Sequence, residues 1–372
     1  MPPFSERDRI RLRAYRMPAE WEPHQATYLV WPHNRETWPG KFDAISPVFA
    51  QIAAAIAEHE PLRLIVDDAA EIESVRAMIS GAAHAGAAVM RRVEIFQLET
   101  NDSWIRDHGP IFVNRINPDP DPLPHPHPHA HGPAQIALDW IFNSWGEKYG
   151  RFDLDDAVPR RLGERYGFEV IEPGIVLEGG SIDPNGAGSL LTTEACLLNR
   201  NRNPHLTRAE IEDYLRTCLG VGNVLWLGDG IAGDDTDGHV DDLARFVARD
   251  TVVTVVEDDP ADANYKLLRD NLARLSAMRD ERGAPLKIER LPMPPPVVYD
   301  GTRLPASYAN FYIANGAILM PTFACPADAI AIATLARLFP DRRVIGLAAT
   351  DVVWGLGAIH CLTQQHPSPR LT

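Results

Sequence analysis

The chain has 372 residues, 45% of them hydrophobic and 23% charged, with a net charge of −15. This balance excludes a disordered chain and allows one large or two ordinary folded domains, and no apolar run approaches the roughly 20 residues of a membrane span. The acidic surface excludes a nucleic-acid partner and favours cationic ligands, although solubility alone accounts for such a charge. The charged N-terminus lacks the apolar core of a signal peptide, so a cytoplasmic location is expected.

Strand-like and helix-like runs alternate along the chain. A strand is predicted over 27–31, a helix over 42–58, a strand over 62–66, a helix over 69–85, and strands over 93–98 and 111–113. Residues 117–133 then read NPDPDPLPHPHPHAHGP. Proline at every second position favours extended polyproline structure, so this reads as a loop insertion. Its four histidines are weak candidates for adventitious metal binding. Strands follow over 136–142, 175–177 and 189–192, and a helix over 207–219. Thr207 and Glu210 have the capping-box spacing at its start. Further strands are predicted over 224–227 and 252–256, a helix over 262–282, and a proline-rich connector over 291–297. A strand over 308–313, a helix over 325–338 and a strand over 343–347 complete the series. Strands outnumber helices and the order is not a simple βα alternation. That favours an α/β fold of several βαβ-type units over a doubly wound sheet or a barrel.

The four cysteines, Cys196, Cys218, Cys325 and Cys361, are far apart and form no CxxC pair. A structural zinc site and a disulfide framework are therefore not expected. The few lysines lie outside the polar segments described next, which argues against Schiff-base chemistry with pyridoxal.

Four segments place unlike polar groups where a strand ends and glycine or proline follows. Residues 101–110 read NDSWIRDHGP, 177–183 LEGGSID, 233–246 GDDTDGHVDDLARF, and 354–365 WGLGAIHCLTQQ. Each has a bland reading. Arg106 and Asp107 could form an exposed pair, and Glu178 could end a strand before a tight turn. The aspartates around His239 resemble a calcium loop but lack the EF-hand frame, and Cys361 could be an inert thiol in a buried C-terminal strand, a reading that the polar residues 363–365 count against. Together they suggest more. Cysteine is a good nucleophile once its thiolate is stabilised, and a carboxylate-flanked histidine is a usable acid/base. In an extended segment His239 and Asp241 would face the same way. Carboxylates would repel the oxyanion of ester or amide hydrolysis, whereas they match the planar donor fork of a guanidinium.

With these segments read in order, the sequence resembles the agmatine deiminase family of arginine-deiminase-like, or pentein, enzymes. The match begins at MPAEWEPHQATYLVWPHNRETWPG (17–40) and continues through FNSWGEKY (142–149), LLTTEACLLNRNRNP (190–204) and AIHCLTQQHP (358–367). The resemblance implies a pentein α/β-propeller, five ββαβ-type units around a pseudo-fivefold axis, as a single catalytic domain over 1–372. It implies hydrolysis of agmatine to N-carbamoylputrescine and ammonia, a step toward putrescine, without metal or organic cofactor. By matching motif, Cys361 is the nucleophile, His239 the acid/base, and Glu178 an orienting group that supports proton transfer. Asp107 and Asp241 hold the guanidinium, and Trp104 lines the pocket around the alkyl chain. A homodimer or tetramer is expected by analogy.

The family usually carries GGGNIHC before its nucleophile, whereas this chain has GLGAIHC, with Leu356 and Ala358 in place of glycine and asparagine. This departure leaves the substrate tail open. The alternatives are deimination or amidino transfer on another guanidine, including C-terminal peptidyl arginine, and a non-catalytic guanidine- or polyamine-binding module.

Overall fold

Short, mostly apolar strands pair into five sheets of three or four strands among the described residues; ten of the seventeen overlap a predicted run, and seven, among them Ala244–Ala248, Lys287–Pro292 and Ala317–Thr322, were not predicted. The computed structural model describes residues 4–83, 86–116 and 132–369. Of the proline- and histidine-rich tract predicted over 117–133, only Gly132 and Pro133 therefore fall within the described residues, and its four histidines lie outside them.

The sheets share one connectivity. Ile111–Arg115 runs antiparallel to Gln135–Leu138, which is parallel to Val170–Ile171. The same antiparallel-then-parallel order recurs in Asp183–Pro184, Ser189–Thr193 and Asn223–Leu227, and in Ala244–Ala248, Thr251–Val256 and Lys287–Pro292. It recurs again in Tyr312–Ile313, Ala317–Thr322 and Arg343–Ala348. In the fifth sheet the C-terminal strand Thr363–Pro367 pairs antiparallel with His24–Val30, which is followed by parallel Leu62–Val66 and Val93–Gln97. A parallel connection needs a crossover. Here Val158–Tyr166, Arg208–Leu219, Asn264–Ala277, Ala327–Leu338 and Phe42–His59 supply it in turn. The pairing of Thr363 with Leu29 carries the chain end back to its beginning and holds Cys361 just before the strand.

Local signals explain several boundaries. Thr207 and Glu210 form both halves of the capping box, and the helix stops at Gly220 in the left-handed conformation (φ 67°). A hairpin between Val298–Tyr299 and Thr302–Arg303 turns at Asp300 and Gly301, both with positive φ, as a primed turn requires.

Other expectations are corrected. The strand predicted over 308–313 shrinks to Tyr312–Ile313, because the residues before it bond to other segments. Ser307 Oγ donates to the Asp242 carbonyl at 2.7 Å, and Arg245 donates to the Phe311 carbonyl at 2.7 Å. The helix predicted over 262–282 ends at Ala277. Beyond it the Asp280 carboxylate accepts the N–H groups of Arg282 and Ala284, closing a turn instead of a helix. The strand predicted over 175–177 is a single bridge between Ile141 and Val176. The supposed connector over 291–297 begins inside strand Lys287–Pro292, where the proline is tolerated as the last residue. No helix among the described residues is long and apolar enough to cross a membrane.

Candidate active site

The four polar segments meet in one place. Arg106 is buried, not a surface partner of Asp107, and ties two of the segments together. Its backbone N–H donates to the Cys361 carbonyl at 3.2 Å. Its guanidinium donates to the His360 carbonyl at 3.3 Å and to the side chains of Gln364 and Gln365 at 2.8 and 2.6 Å. Cys361 therefore lies in a turn fixed on one side by Arg106 and on the other by strand Thr363–Pro367. Trp104 closes over this turn so tightly that a Cβ on Gly357 would lie 2.6 Å from its ring and 3.1 Å from Cys361 Cβ.

Gly180, in the EGG segment, gives the other residues their meeting point. Its N–H donates to Asp107 Oδ1 at 2.9 Å. A Cβ there would fall 2.5 Å from His239 Nδ1, 2.9 Å from Asp107 Oδ1 and 3.1 Å from Asp241 Oδ2. Only glycine leaves room for an imidazole and two carboxylates around one point. His239 precedes a 3-10 turn, Val240–Asp242, so the extended geometry expected for the His239–Asp241 pair is absent, although both side chains reach the same centre. Cys361 Sγ is 3.6 Å from Asp241 Oδ2. Glu178 and His239 each have a ligand-type atom within 4.8 Å of the other and of Cys196. All six residues singled out from the sequence, Cys361, His239, Glu178, Asp107, Asp241 and Trp104, are thus brought together and buried.

Hydrogen bonding is uneven across this cluster. Asp107 Oδ2 accepts the Trp145 indole N–H at 2.9 Å. Asp241 Oδ2 lies 2.6 Å from His360 Nδ1, while Oδ1 has no partner among the described residues. Glu178 Oε1 accepts Arg202 Nε at 2.6 Å, while Oε2 has none. Both ring nitrogens of His239 are likewise unpaired. Buried polar atoms are normally satisfied, so unsatisfied acceptors and an imidazole beside two buried thiols, Asp241 against Cys361 and Glu178 with His239 against Cys196, mark a place built for chemistry.

Electrostatics sharpen the contrast. Burial and the acids Asp241, Asp242 and Asp107 push the Cys361 thiol well above its ordinary range. Burial works against charge on His239, but Asp107, Cys196 and Glu178 outweigh it and hold the imidazolium well above its ordinary range. Burial also opposes ionisation of Asp241, yet the hydrogen bond and charge of His360 bring it down. Without a cation, the site thus favours a neutral thiol beside a charged histidine.

The cluster opens into a cavity of about 740 Å³ lined by Trp104, Asp107, Trp145, Tyr149, Asp235 and Cys361, among others. Glu178, Cys196 and His239 are spaced closely enough to hold a soft divalent ion. The Arg202 guanidinium on Glu178 opposes a second cation there.

Sequence reasoning gave no role to Glu20, Asn310, Trp145, Arg202 or Cys196. It named His360 only as the neighbour of Cys361. An asparagine within the apolar run YANFYI was the one local signal that pointed to Asn310.

Comparison with known proteins agrees with this geometry. Residues 16–367 match the Porphyromonas-type peptidyl-arginine deiminase family. Agmatine deiminase of Ectopseudomonas mendocina is 37% identical over 384 residues, covering 97% of each chain. Agmatine deiminase of Pseudomonas aeruginosa strain LESB58 is 37% identical over 387 residues with the same coverage. The structure of Enterococcus faecalis agmatine deiminase superposes with a TM-score of 0.85 at 31% identity, over 96% of this chain and 97% of that one. A C. jejuni agmatine deiminase with substrate bound superposes with a TM-score of 0.82 at 30% identity, over 95% and 96%. With the match spanning nearly its whole length, the chain belongs to the Porphyromonas-type peptidyl-arginine deiminase family.

Proposed function

We propose that the protein hydrolyses agmatine to N-carbamoylputrescine and ammonia through a covalent amidino-cysteine intermediate. The observation that carries this reading is the buried thiol of Cys361 beside Asp107, Asp241 and Asp242, in a cluster where one oxygen each of Asp241 and Glu178 and both His239 nitrogens are unsatisfied among the described residues. A guanidinium offers N–H donors to those oxygens and a carbon to the sulfur.

The substrate cation enters between Asp107 and Asp241. Its charge lowers the cost of a thiolate, and the Cys361 proton passes to solvent water through the cavity that Cys361 lines. The thiolate forms a C–S bond to the guanidinium carbon, giving a tetrahedral adduct. The His239 imidazolium protonates an –NH2 group, the C–N bond breaks, and ammonia departs. His239, now neutral, takes a proton from water as the resulting hydroxide bonds to the carbon. The C–S bond then breaks, its electron pair returns to sulfur, and the remaining hydroxyl proton leaves toward Glu178 Oε2. The product is the ureido compound, and the thiolate and imidazolium are restored.

Acids also surround the outer cavity. Glu36, Asp67, Glu99, Asp102 and Asp235 line it, with Arg151 its one basic side chain among the described residues if histidine is set aside. Arg151 is itself paired with Asp153 at 3.3 Å. That suits the cationic tail of agmatine better than the carboxylate of arginine. Incubation with agmatine, free arginine and a C-terminal-arginine peptide tests this. Ureido product is expected from agmatine in preference to the others, and a preference for the peptide would replace this reading with the peptidyl one.

The five repeats of two antiparallel strands, a helix and a parallel strand also support reading the chain as a single pentein propeller domain around a pseudo-fivefold axis.

A further inference from the structure

The mechanism leaves one question at the sulfur. Burial and three neighbouring acids oppose the thiolate, yet the thiolate is both the attacking and the leaving species. A hydrogen-bond donor aimed at sulfur would ease both steps, and one side chain is placed to provide it.

Asn310 is fully buried in the segment leading to strand Tyr312–Ile313. Its Nδ2 lies 3.1 Å from Cys361 Sγ and 3.0 Å from Asp242 Oδ1. Its Oδ1 accepts the backbone N–H of His360 at 2.9 Å and of Cys361 at 3.4 Å. These four contacts fix the orientation of the amide. Reversed, the NH2 would face two N–H donors and the oxygen would face an acidic oxygen and the sulfur. The segment itself is held by Arg245, which donates to the Phe311 carbonyl, and by Ser307 Oγ, which accepts the Ala309 N–H at 3.1 Å. The backbone of Ala358 also favours the thiolate.

We propose that Asn310 is a catalytic residue whose amide N–H donates to the Cys361 sulfur and stabilises the thiolate that attacks the guanidinium and later leaves the intermediate. An amide suits this position because it supplies a donor without a full positive charge, which would repel the substrate cation. The proposal rests on the reading of Cys361 as the nucleophile. The other titratable groups facing the sulfur are Asp241 and Asp242 from the 239–242 turn and Asp107 from the 105–108 turn. His239 stands against Asp107, and His360 is the adjacent residue on the same turn.

The test follows alkylation of Cys361 by iodoacetamide against pH, read by mass on the Cys361 peptide, alongside turnover of agmatine, in wild type, Asn310→Ala and Asn310→Asp. In Asn310→Ala the alkylation midpoint should rise by about one to two pH units, the effect of one hydrogen bond to a charged group. At neutral pH kcat/KM should fall about 10- to 100-fold by the same measure, with the deficit shrinking as pH rises. Asn310→Asp, which turns a donor into an acceptor, should lose more. Asn310→Ser keeps a donor in a smaller side chain. It should fall between wild type and alanine, and it carries the same test if the alanine variant unfolds. An unshifted midpoint, or a deficit independent of pH, overturns the proposal. Cys361→Ala separates the two readings. If it turns over agmatine, covalent catalysis fails. If it is inactive while Asn310→Ala behaves like wild type, only the role of Asn310 fails.

Discussion

Two buried histidines at this site are in opposite states. His360 has both ring nitrogens engaged, Nδ1 at 2.6 Å from Asp241 Oδ2 and Nε2 at 2.8 Å from Glu20 Oε2. Glu20 is held in turn by Arg245 and Arg106 and by the Ile313 N–H. Burial opposes its charge, but Arg245, His360 and Arg106 hold it well below the ordinary carboxylate range. His239 is equally buried, yet among the described residues neither nitrogen has a hydrogen-bond partner, the nearest carboxylate oxygen, Asp107 Oδ1, is 3.7 Å away, and the Cys196 thiol lies within 4.8 Å. One histidine is locked into the scaffold, and the other keeps its capacity to give and take a proton. The two rings differ in the same sense as their roles: the one given the proton transfers has no hydrogen-bond partner among the described residues, and the one that braces the scaffold has two.

Exchanging each histidine should separate activity from stability. His239→Ala removes the acid/base and should lower kcat by at least ~10²-fold, with a denaturation midpoint that moves less than in the His360 variant. The pH profile adds a sign. His239 is held protonated above its ordinary range, so the wild-type rate should fall on the alkaline side as the imidazolium loses the proton it gives to the leaving nitrogen. Steady-state rates across pH check this, and a rate that keeps rising with pH would remove His239 from the first step.

The locked histidine should behave in the reverse manner. His360→Ala leaves the carboxylates of Asp241 and Glu20 buried without their shared partner. Breaking a buried ion pair in this way costs about 3–5 kcal/mol. A lowered midpoint in urea unfolding is therefore expected, with kcat/KM reduced about 10- to 100-fold through a misplaced Asp241. If His239→Ala destabilises the protein more than His360→Ala does, the contrast between the two rings fails.

How much of this was legible in the sequence follows the same division. Cys361, His239, Glu178, Asp107 and Asp241 stand in segments where polar groups interrupt apolar ones beside glycine, a signal that needs no knowledge of the fold. Glu20 carries no such mark. Its partners Arg106 and His360 are 86 and 340 residues away, so only tertiary structure reveals why an acid is buried there. The C-terminal strand, the bland reading of the last segment, was discounted for a related reason. Thr363–Pro367 reads TQQHP, which has no apolar alternation, yet all of it is buried. Gln364 and Gln365 accept from Arg106, and His366 stacks on Phe112 with ring centroids 3.9 Å apart. Hydropathy patterns cannot anticipate a strand whose polar side chains are satisfied by distant segments. Helix Val158–Tyr166 was missed because of its charged stretch and Gly163, where a Cβ would lie 2.5 Å from Val170.

The smallest expected effect lies farthest from the sulfur. Asp235 lines the cavity and accepts from Tyr149 OH, while Lys148 donates to its backbone carbonyl. Burial, as the main cause, raises its pKa, with Tyr149 acting against the rise. It has no part in the proton transfers proposed around His239. If it receives the cationic tail, Asp235→Asn should raise KM for agmatine several-fold, the scale of a partly solvated ion pair, and leave kcat nearly unchanged. Salt should weaken the wild type more than the variant, because a partly exposed ion pair is screened. Activity toward a guanidine with an uncharged alkyl tail should be the same in both proteins. A drop in kcat with no change in KM would move Asp235 from the tail to the reacting centre, and the boundary between saturated scaffold and unsatisfied chemistry would then have to extend to the 233–238 loop.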